Sequence, residues 1–179
     1  MISFLFLKRN YWLTIFTGLF LLTVSCSQQT TTRSEAWKQQ KITSMYDEYV
    51  NNFPEVTGIT VEEFRQLKQQ NKTIIVDVRS PEERVVSIIP GAISQAEFEQ
   101  NIDRYKNYPI VAYCTIGYRS GKYAQKLLKQ GLSIFNLEGS LLAWSHIDGE
   151  LVNSSGETKQ IHVYGKQWRL TADDYQSTW

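Results

Sequence analysis

Three short runs of largely β-branched or apolar residues constrain what this chain can fold into: Thr73–Val78, Ile110–Tyr113 and Ile134–Leu137. The first two read as buried strands, Thr73–Val78 without any alternation and so buried on both faces, and Ile134–Leu137 reads as a third strand. Segments with helical periodicity separate them. Thr60-Val-Glu-Glu63 has the spacing of a capping box, and the helix it opens carries Val61, Phe64 and Leu67 and ends near Asn71. Ser94-Gln-Ala-Glu97 repeats that spacing. Tyr123, Ala124, Leu127 and Leu128 mark a helix from Ser120 to Gln130, closed by Gly131. Upstream, Ile42, Met45, Tyr46, Tyr49, Val50 and Phe53 form one face of a helix that Pro54 stops. Strands alternating with helices specify an α/β domain, with a mainly parallel central sheet flanked by helices on both faces. Ligand sites in such sheets lie beyond the carboxyl ends of the strands. Asp77-Val-Arg79, Cys114 and Glu138-Gly139 all fall there.

Composition narrows the chemistry. The chain has 179 residues, a net charge of +1 and two cysteines. This size supports a core without covalent staples, and two cysteines make no disulfide framework. Cys26, Cys114, His146 and His162 are too scattered for a zinc cluster, so no metal site is expected. The near-neutral charge gives no nucleic-acid footprint, and no nucleic-acid partner is expected.

The chemistry centres on Cys114-Thr-Ile-Gly-Tyr-Arg-Ser120. A cysteine between a strand end and a helix N-terminus sits where the helix dipole favours negative charge and thiolate formation. The loop Thr115, Ile116, Gly117, Tyr118, Arg119 and Ser120 offers a row of backbone N–H groups, with Gly117 free to take a positive φ. Such a loop can curl into a nest for an anion, with Arg119 adding positive charge at its rim. Gly121 allows close backbone approach at the helix start. These parts amount to a reactive thiolate in an anion cradle.

The two ends of the chain read differently. Met1–Asn10 carries Lys8 and Arg9 and no acid, and Tyr11–Val24 is uncharged. Fourteen residues are short for a membrane span and fit the apolar region of a secretory signal; an uncleaved signal anchor is the other reading. The run ends Leu-Leu-Thr-Val-Ser-Cys26, which resembles the lipobox of bacterial lipoproteins, with Thr23 where a leucine is usual. Residues 1–25 are therefore expected to be a signal peptide. Cys26 is the expected site of lipidation and membrane attachment, and 26–34 a flexible tether. Cleavage by the ordinary signal peptidase is the alternative to lipidation, and either puts the mature protein outside the cytoplasm, in a bacterial cell envelope or periplasm. Residues 35–56 are expected to form a helical extension and 57–152 the main domain. Residues 153–179 are expected to form a C-terminal extension, in which Ile161–Tyr164 adds a strand and Trp168, Tyr175 and Trp179 anchor the tail. His162 reads as a surface histidine.

The central region resembles the rhodanese-like family of sulfurtransferases. Cys114–Ser120 contains a stretch similar to the family's six-residue active loop, which starts with the persulfide-forming cysteine. Val76-Asp-Val-Arg-Ser-Pro-Glu-Glu83 and Pro90-Gly-Ala-Ile93 resemble its first motif, and Leu137-Glu-Gly-Ser-Leu-Leu-Ala-Trp144 its closing one. Arg84, Ser87 and Ile88 stand where that first motif has an aromatic and a Gly-His pair, and Ser140 takes the second place of a glycine pair.

The resemblance implies a rhodanese-like fold and sulfur transfer through a Cys114 persulfide, with no cofactor. The partners would be a small-molecule sulfane donor such as thiosulfate and a thiol or cyanide-like acceptor. Arg119 would hold an anionic donor, Asp77 and Arg79 would brace the loop, and Trp144 would belong to the core. A rhodanese-like module that binds or carries sulfur without turnover is the alternative. A cysteine-dependent phosphatase fits less well, because Arg119 follows Cys114 after four residues rather than five.

Overall fold

The computed structural model describes residues 35–70 and 72–179. The expected signal peptide, Cys26 and the tether lie outside the described residues. No helix among the described residues is long and apolar enough to cross a membrane.

The chain enters through helix α1 (35–50). A two-residue strand β1 (Gly58–Ile59) leads into α2 (Val61–Gln70), which opens with the reciprocal box seen in the sequence. The Glu63 N–H donates to Thr60 Oγ1 at 3.2 Å, and Glu63 Oε2 accepts from the Thr60 N–H at 3.0 Å. Strand β2 (Ile74–Asp77), helix α3 (Pro81–Val86), strand β3 (Ile93–Ser94) and helices α4 (Gln95–Gln100) and α5 (Ile102–Tyr105) follow. Then come β4 (Ile110–Tyr113), α6 (Tyr118–Leu128), β5 (Phe135–Leu137) and α7 (Ser140–Ser145).

Five parallel strands make the central sheet in the order β1-β5-β4-β2-β3. Asp77 pairs with Tyr113 and Ala112 with Asn136, so the carboxyl ends of β2, β4 and β5 lie along one edge. All eight residues of β2 and β4 are buried, seven apolar or aromatic and one, Asp77, a carboxylate. Successive residues serve opposite faces. Ile75, Val111 and Tyr113 join a core with Phe64 of α2 and Leu141, Leu142 and Trp144 of α7. Ile74, Val76, Ile110 and Ala112 join another with Phe98 of α4 and Tyr123, Ala124 and Leu127 of α6. Helices therefore cover both faces.

Several boundaries differ from the sequence reading. Helix α6 starts at Tyr118 rather than Ser120 and ends at Leu128, so Tyr118, Arg119 and Ser120 form its first turn instead of a loop. Its cap is Gly117 in the left-handed region, which leaves no side-chain start signal. The upstream helix stops before Phe53, which is nonetheless fully buried. Ser94 caps α4 through the Glu97 N–H at 3.0 Å.

The C-terminal segment forms a hairpin of β6 (Val152–Asn153) with β7 (Gly156–Glu157). It also forms a parallel pair of β8 (Gln160–His162) with β9 (Gln176–Thr178). Strand β8 thus pairs with the tail's own end and not with the central sheet. Ile161, Val163, Leu170, Ala172 and Tyr175 enter the first core, which is how the extension is held. Trp179, expected as an anchor, is 55% exposed: it lies at the chain end, beyond β9, with the Arg169 guanidinium over its ring.

Candidate active site

Cys114 is the first residue after β4 and sits at the sheet edge chosen by the parallel topology. It is 1% exposed. The next three residues bend the chain back so that the Gly117 N–H donates to Cys114 Sγ at 3.1 Å. That bend needs a φ of 100° at Gly117, a conformation glycine adopts without steric cost. A methyl group there would also lie 2.8 Å from the Tyr46 ring. Gly121, one turn into α6, faces the Phe53 ring, which a Cβ would meet at 2.3 Å. This is the close approach its sequence position suggests.

Burial alone pushes the Cys114 thiol up. The Ser120 backbone N–H, the Arg119 charge, the Ser120 hydroxyl and the Ile116 N–H act the other way and prevail, so the thiol titrates below its ordinary range. The Ser120 hydroxyl is buried without a formed hydrogen bond and is free to turn toward a charged sulfur. The N-terminus of α6, four residues along the chain, favours negative charge in the same place.

Arg119 projects from the first turn of α6 into a two-pronged ion pair. Its terminal nitrogens donate to Glu83 Oε1 and Oε2 at 2.7 and 2.8 Å. The same carboxylate accepts from the Ser80 N–H at 3.0 Å and closes the capping box of α3. Burial would raise the Glu83 carboxyl, but the Arg119 and Ser80 hydrogen bonds and the nearby guanidinium charges hold it at about 2. Arg119, expected to hold an anionic donor, thus carries a structural ion pair as well. Each terminal nitrogen donates to Glu83, because α3 packs its acidic residue against the start of α6, while Nε is buried without a partner among the described residues.

Asp77 and Arg79 are buried and brace one another. The Arg79 Nε donates to Asp77 Oδ1 at 3.0 Å, and its terminal nitrogen donates to Asp77 Oδ2 at 2.7 Å and to the Ser87 carbonyl at 2.5 Å. The Tyr113 hydroxyl donates to Asp77 Oδ2 at 2.7 Å and accepts from the Ile89 N–H at 3.1 Å. The strand end just before Cys114 is thereby tied to the segment after α3. Neither Asp77 nor Arg79 lines the cavity above the sulfur.

Several supporting residues escaped the sequence reading. Ser140, with φ 45°, accepts from the Cys114 N–H at 3.1 Å and donates to the Leu137 carbonyl at 3.0 Å. Asn136 donates to the Gly117 carbonyl at 3.0 Å and to the Tyr46 hydroxyl at 3.2 Å, joining β5, the loop and α1. Glu83 belongs to a Ser-x-x-Glu pattern that marks α3, and that spacing was its one local signal. Trp144 is core, and its indole N–H donates to the Glu150 carbonyl. His162 lies in β8 and is not among the residues lining the cavity.

That cavity, of about 440 Å³, opens above Cys114. Thr115, Ile116, Tyr118 and Arg119 line it together with Tyr49, Tyr164 and Trp168, which come from outside the central domain.

A sequence model of the rhodanese-like domain matches residues 60–147. A rhodanese-like domain protein from Staphylococcus aureus, known from its crystal structure, is 31% identical; the match covers 50% of this chain and 91% of that one, with a TM-score of 0.45. The thiosulfate sulfurtransferase of Pseudomonas aeruginosa shares the fold with a TM-score of 0.51 at 20% identity, over 76% of this chain and 25% of that one. The tRNA uridine(34) hydroxylase of Acholeplasma laidlawii is 29% identical over 130 residues, which is 66% of this chain and 40% of the relative. The chain spans about half or less of the curated relatives it matches first. With the domain model matched over residues 60–147, the chain carries a rhodanese-like domain.

Proposed function

We propose that this protein is a sulfurtransferase that carries a sulfane sulfur as a persulfide on Cys114. One observation supports this reading above the others: a buried cysteine whose sulfur accepts the Gly117 N–H at 3.1 Å, at the start of a helix, in surroundings that favour its thiolate. In the first step the Cys114 thiolate attacks the outer sulfur of a donor such as thiosulfate. A new S–S bond forms, the donor's S–S bond breaks, and sulfite leaves with the electron pair. The loop N–H groups then stabilise the persulfide anion, where each donor is worth more than in water because the site is buried. In the second step a thiolate or cyanide attacks the outer sulfur, takes it away as a persulfide or thiocyanate, and returns Cys114 as thiolate.

The framework around the sulfur suits this two-step exchange. Nothing in it needs to move a proton in either step, since nucleophile and leaving group are both anions. Rigidity at Gly117, Ser140 and Asn136 keeps the cradle formed between the steps. Under the same reading, residues 1–25 direct export and Cys26 is lipidated, holding the domain at a membrane of the cell envelope by a tether of polar residues.

The test is steady-state turnover with thiosulfate or an organic thiosulfonate as donor and cyanide as acceptor. Thiocyanate production that disappears in Cys114→Ser supports the proposal. Hydrolysis of an aryl phosphate lost in the same variant, without thiocyanate production, would replace it with phosphatase chemistry.

A further inference from the structure

The cavity above Cys114 has walls that the central domain does not supply. Of its four aromatic rings, only Tyr118 falls within residues 60–147; Tyr49 comes from α1, and Tyr164 and Trp168 come from the C-terminal extension. The rings are paired across the opening. Tyr49 meets Tyr118 edge to face, with centroids 5.2 Å apart and planes at 63°. Tyr164 and Trp168 are tilted at 58° with centroids 5.7 Å apart. At about 440 Å³ the space lies within the range of small-molecule sites, roughly 300–1,000 Å³. It is larger than a four-coordinate inorganic anion requires.

The electrostatics point the same way. Arg119 is the one cationic side chain among the described residues lining the cavity. Its terminal nitrogens are taken by Glu83, and its guanidinium carbon lies 5.0 Å from the Tyr164 ring centroid. An incoming dianion such as thiosulfate would therefore exchange its hydration for largely aromatic walls and a guanidinium whose charge is shared with Glu83, an unfavourable trade. An apolar group would instead displace water from four rings and gain dispersion contacts on their faces.

We infer that the sulfur donor of this protein is organic: its sulfane sulfur is attached to an apolar, ring-sized group, as in an aryl or branched-alkyl thiosulfonate or hydropersulfide. Tyr49, Tyr164 and Trp168 set that preference. The inference rests on the sulfur-transfer reading of Cys114 and adds the class of donor to it. The step balances as before. The Cys114 thiolate bonds to the outer sulfur, the donor's S–S bond breaks, and a sulfinate or thiolate leaves with the electron pair, its organic group held by the rings during the exchange.

The experiment uses the protein with three donors, thiosulfate, methanethiosulfonate and benzenethiosulfonate, and with cyanide as acceptor. Each kcat/KM is divided by that donor's uncatalysed rate with a small thiol, which removes intrinsic reactivity. The expected result is a normalised preference for benzenethiosulfonate over methanethiosulfonate of about tenfold or more, the scale on which apolar pockets discriminate. That ratio falls toward one in Tyr164→Ala and is kept in Tyr164→Phe. Tyr164 is 51% exposed, so the alanine variant removes wall rather than core. A ratio at or below one in the unaltered protein, with a Cys114 persulfide still formed, overturns the inference and leaves sulfur transfer standing. Absence of persulfide from all three donors overturns both.

Discussion

Replacing Glu83 by glutamine tests how the cradle is held together. The carboxylate serves two elements at once, accepting the Ser80 N–H in α3 and both terminal nitrogens of Arg119 in α6. Glutamine keeps an acceptor oxygen for Ser80 and the side chain's shape, and removes the charge. Glu83 titrates at about 2 in the folded protein against an ordinary value of 4.5. A depressed folded-state value means the ionised carboxylate stabilises the fold. That contribution is fully present above the ordinary value and is lost as pH falls through the folded one. A gap of about 2.5 pH units corresponds to roughly 3 kcal/mol at pH 7, falling to roughly 1 kcal/mol at pH 3. The Glu83 side chain is 7% exposed and that of Arg119 31%, so solvent screening leaves much of the interaction in place. The assay is urea unfolding of the unaltered protein and Glu83→Gln in parallel from pH 3 to pH 7. Taking the difference between the two cancels the titration of every other carboxyl group. The difference should stay level from pH 7 down to about the ordinary value of 4.5 and shrink below it. A pH-independent difference would refute the assignment of Glu83 as the ionised partner that locks α3 to α6.

The same frame makes two further predictions. Alkylation of Cys114 by iodoacetamide should show a midpoint below that of an ordinary thiol, about 8.5, and Ser120→Ala should move it upward; an unperturbed midpoint in both would remove the thiolate argument. Gly117→Ala places a methyl group 2.8 Å from the Tyr46 ring at a φ of 100°, and should destabilise the protein by about 1–3 kcal/mol and slow sulfur transfer, read by thermal unfolding and thiocyanate production; wild-type values for both would contradict the loop geometry.

The strands carrying the site were legible because burial on both faces forces short, β-branched apolar runs such as Ile110–Tyr113, set between helical segments. The position of Cys114 followed from the end of that run. The start of α6 was not legible. Its cap is a glycine in the left-handed region, and the Tyr-Arg-Ser turn that follows has no residue that signals a helix start. The two-residue edge strands β1 and β3 are too short for any period to register. The fate of Arg119 was hidden for a different reason. Its partner Glu83 lies 36 residues away, so only the packing of α3 against α6 reveals that the guanidinium is already paired. The aromatic walls follow the same logic: Tyr49 and Tyr164 are separated by the whole central domain and meet only once α1 and the tail close over the sheet edge.

The central claim is that Cys114 holds a transferable sulfur, and intact-protein mass spectrometry addresses it directly. After incubation with a sulfane donor and removal of the excess, the account predicts a gain of about 32 Da, one sulfur atom, located on Cys114. That gain should be absent in Cys114→Ser and discharged by cyanide. An unchanged mass with thiosulfate and with both thiosulfonates, on protein whose Cys114 still reacts with iodoacetamide, would contradict it.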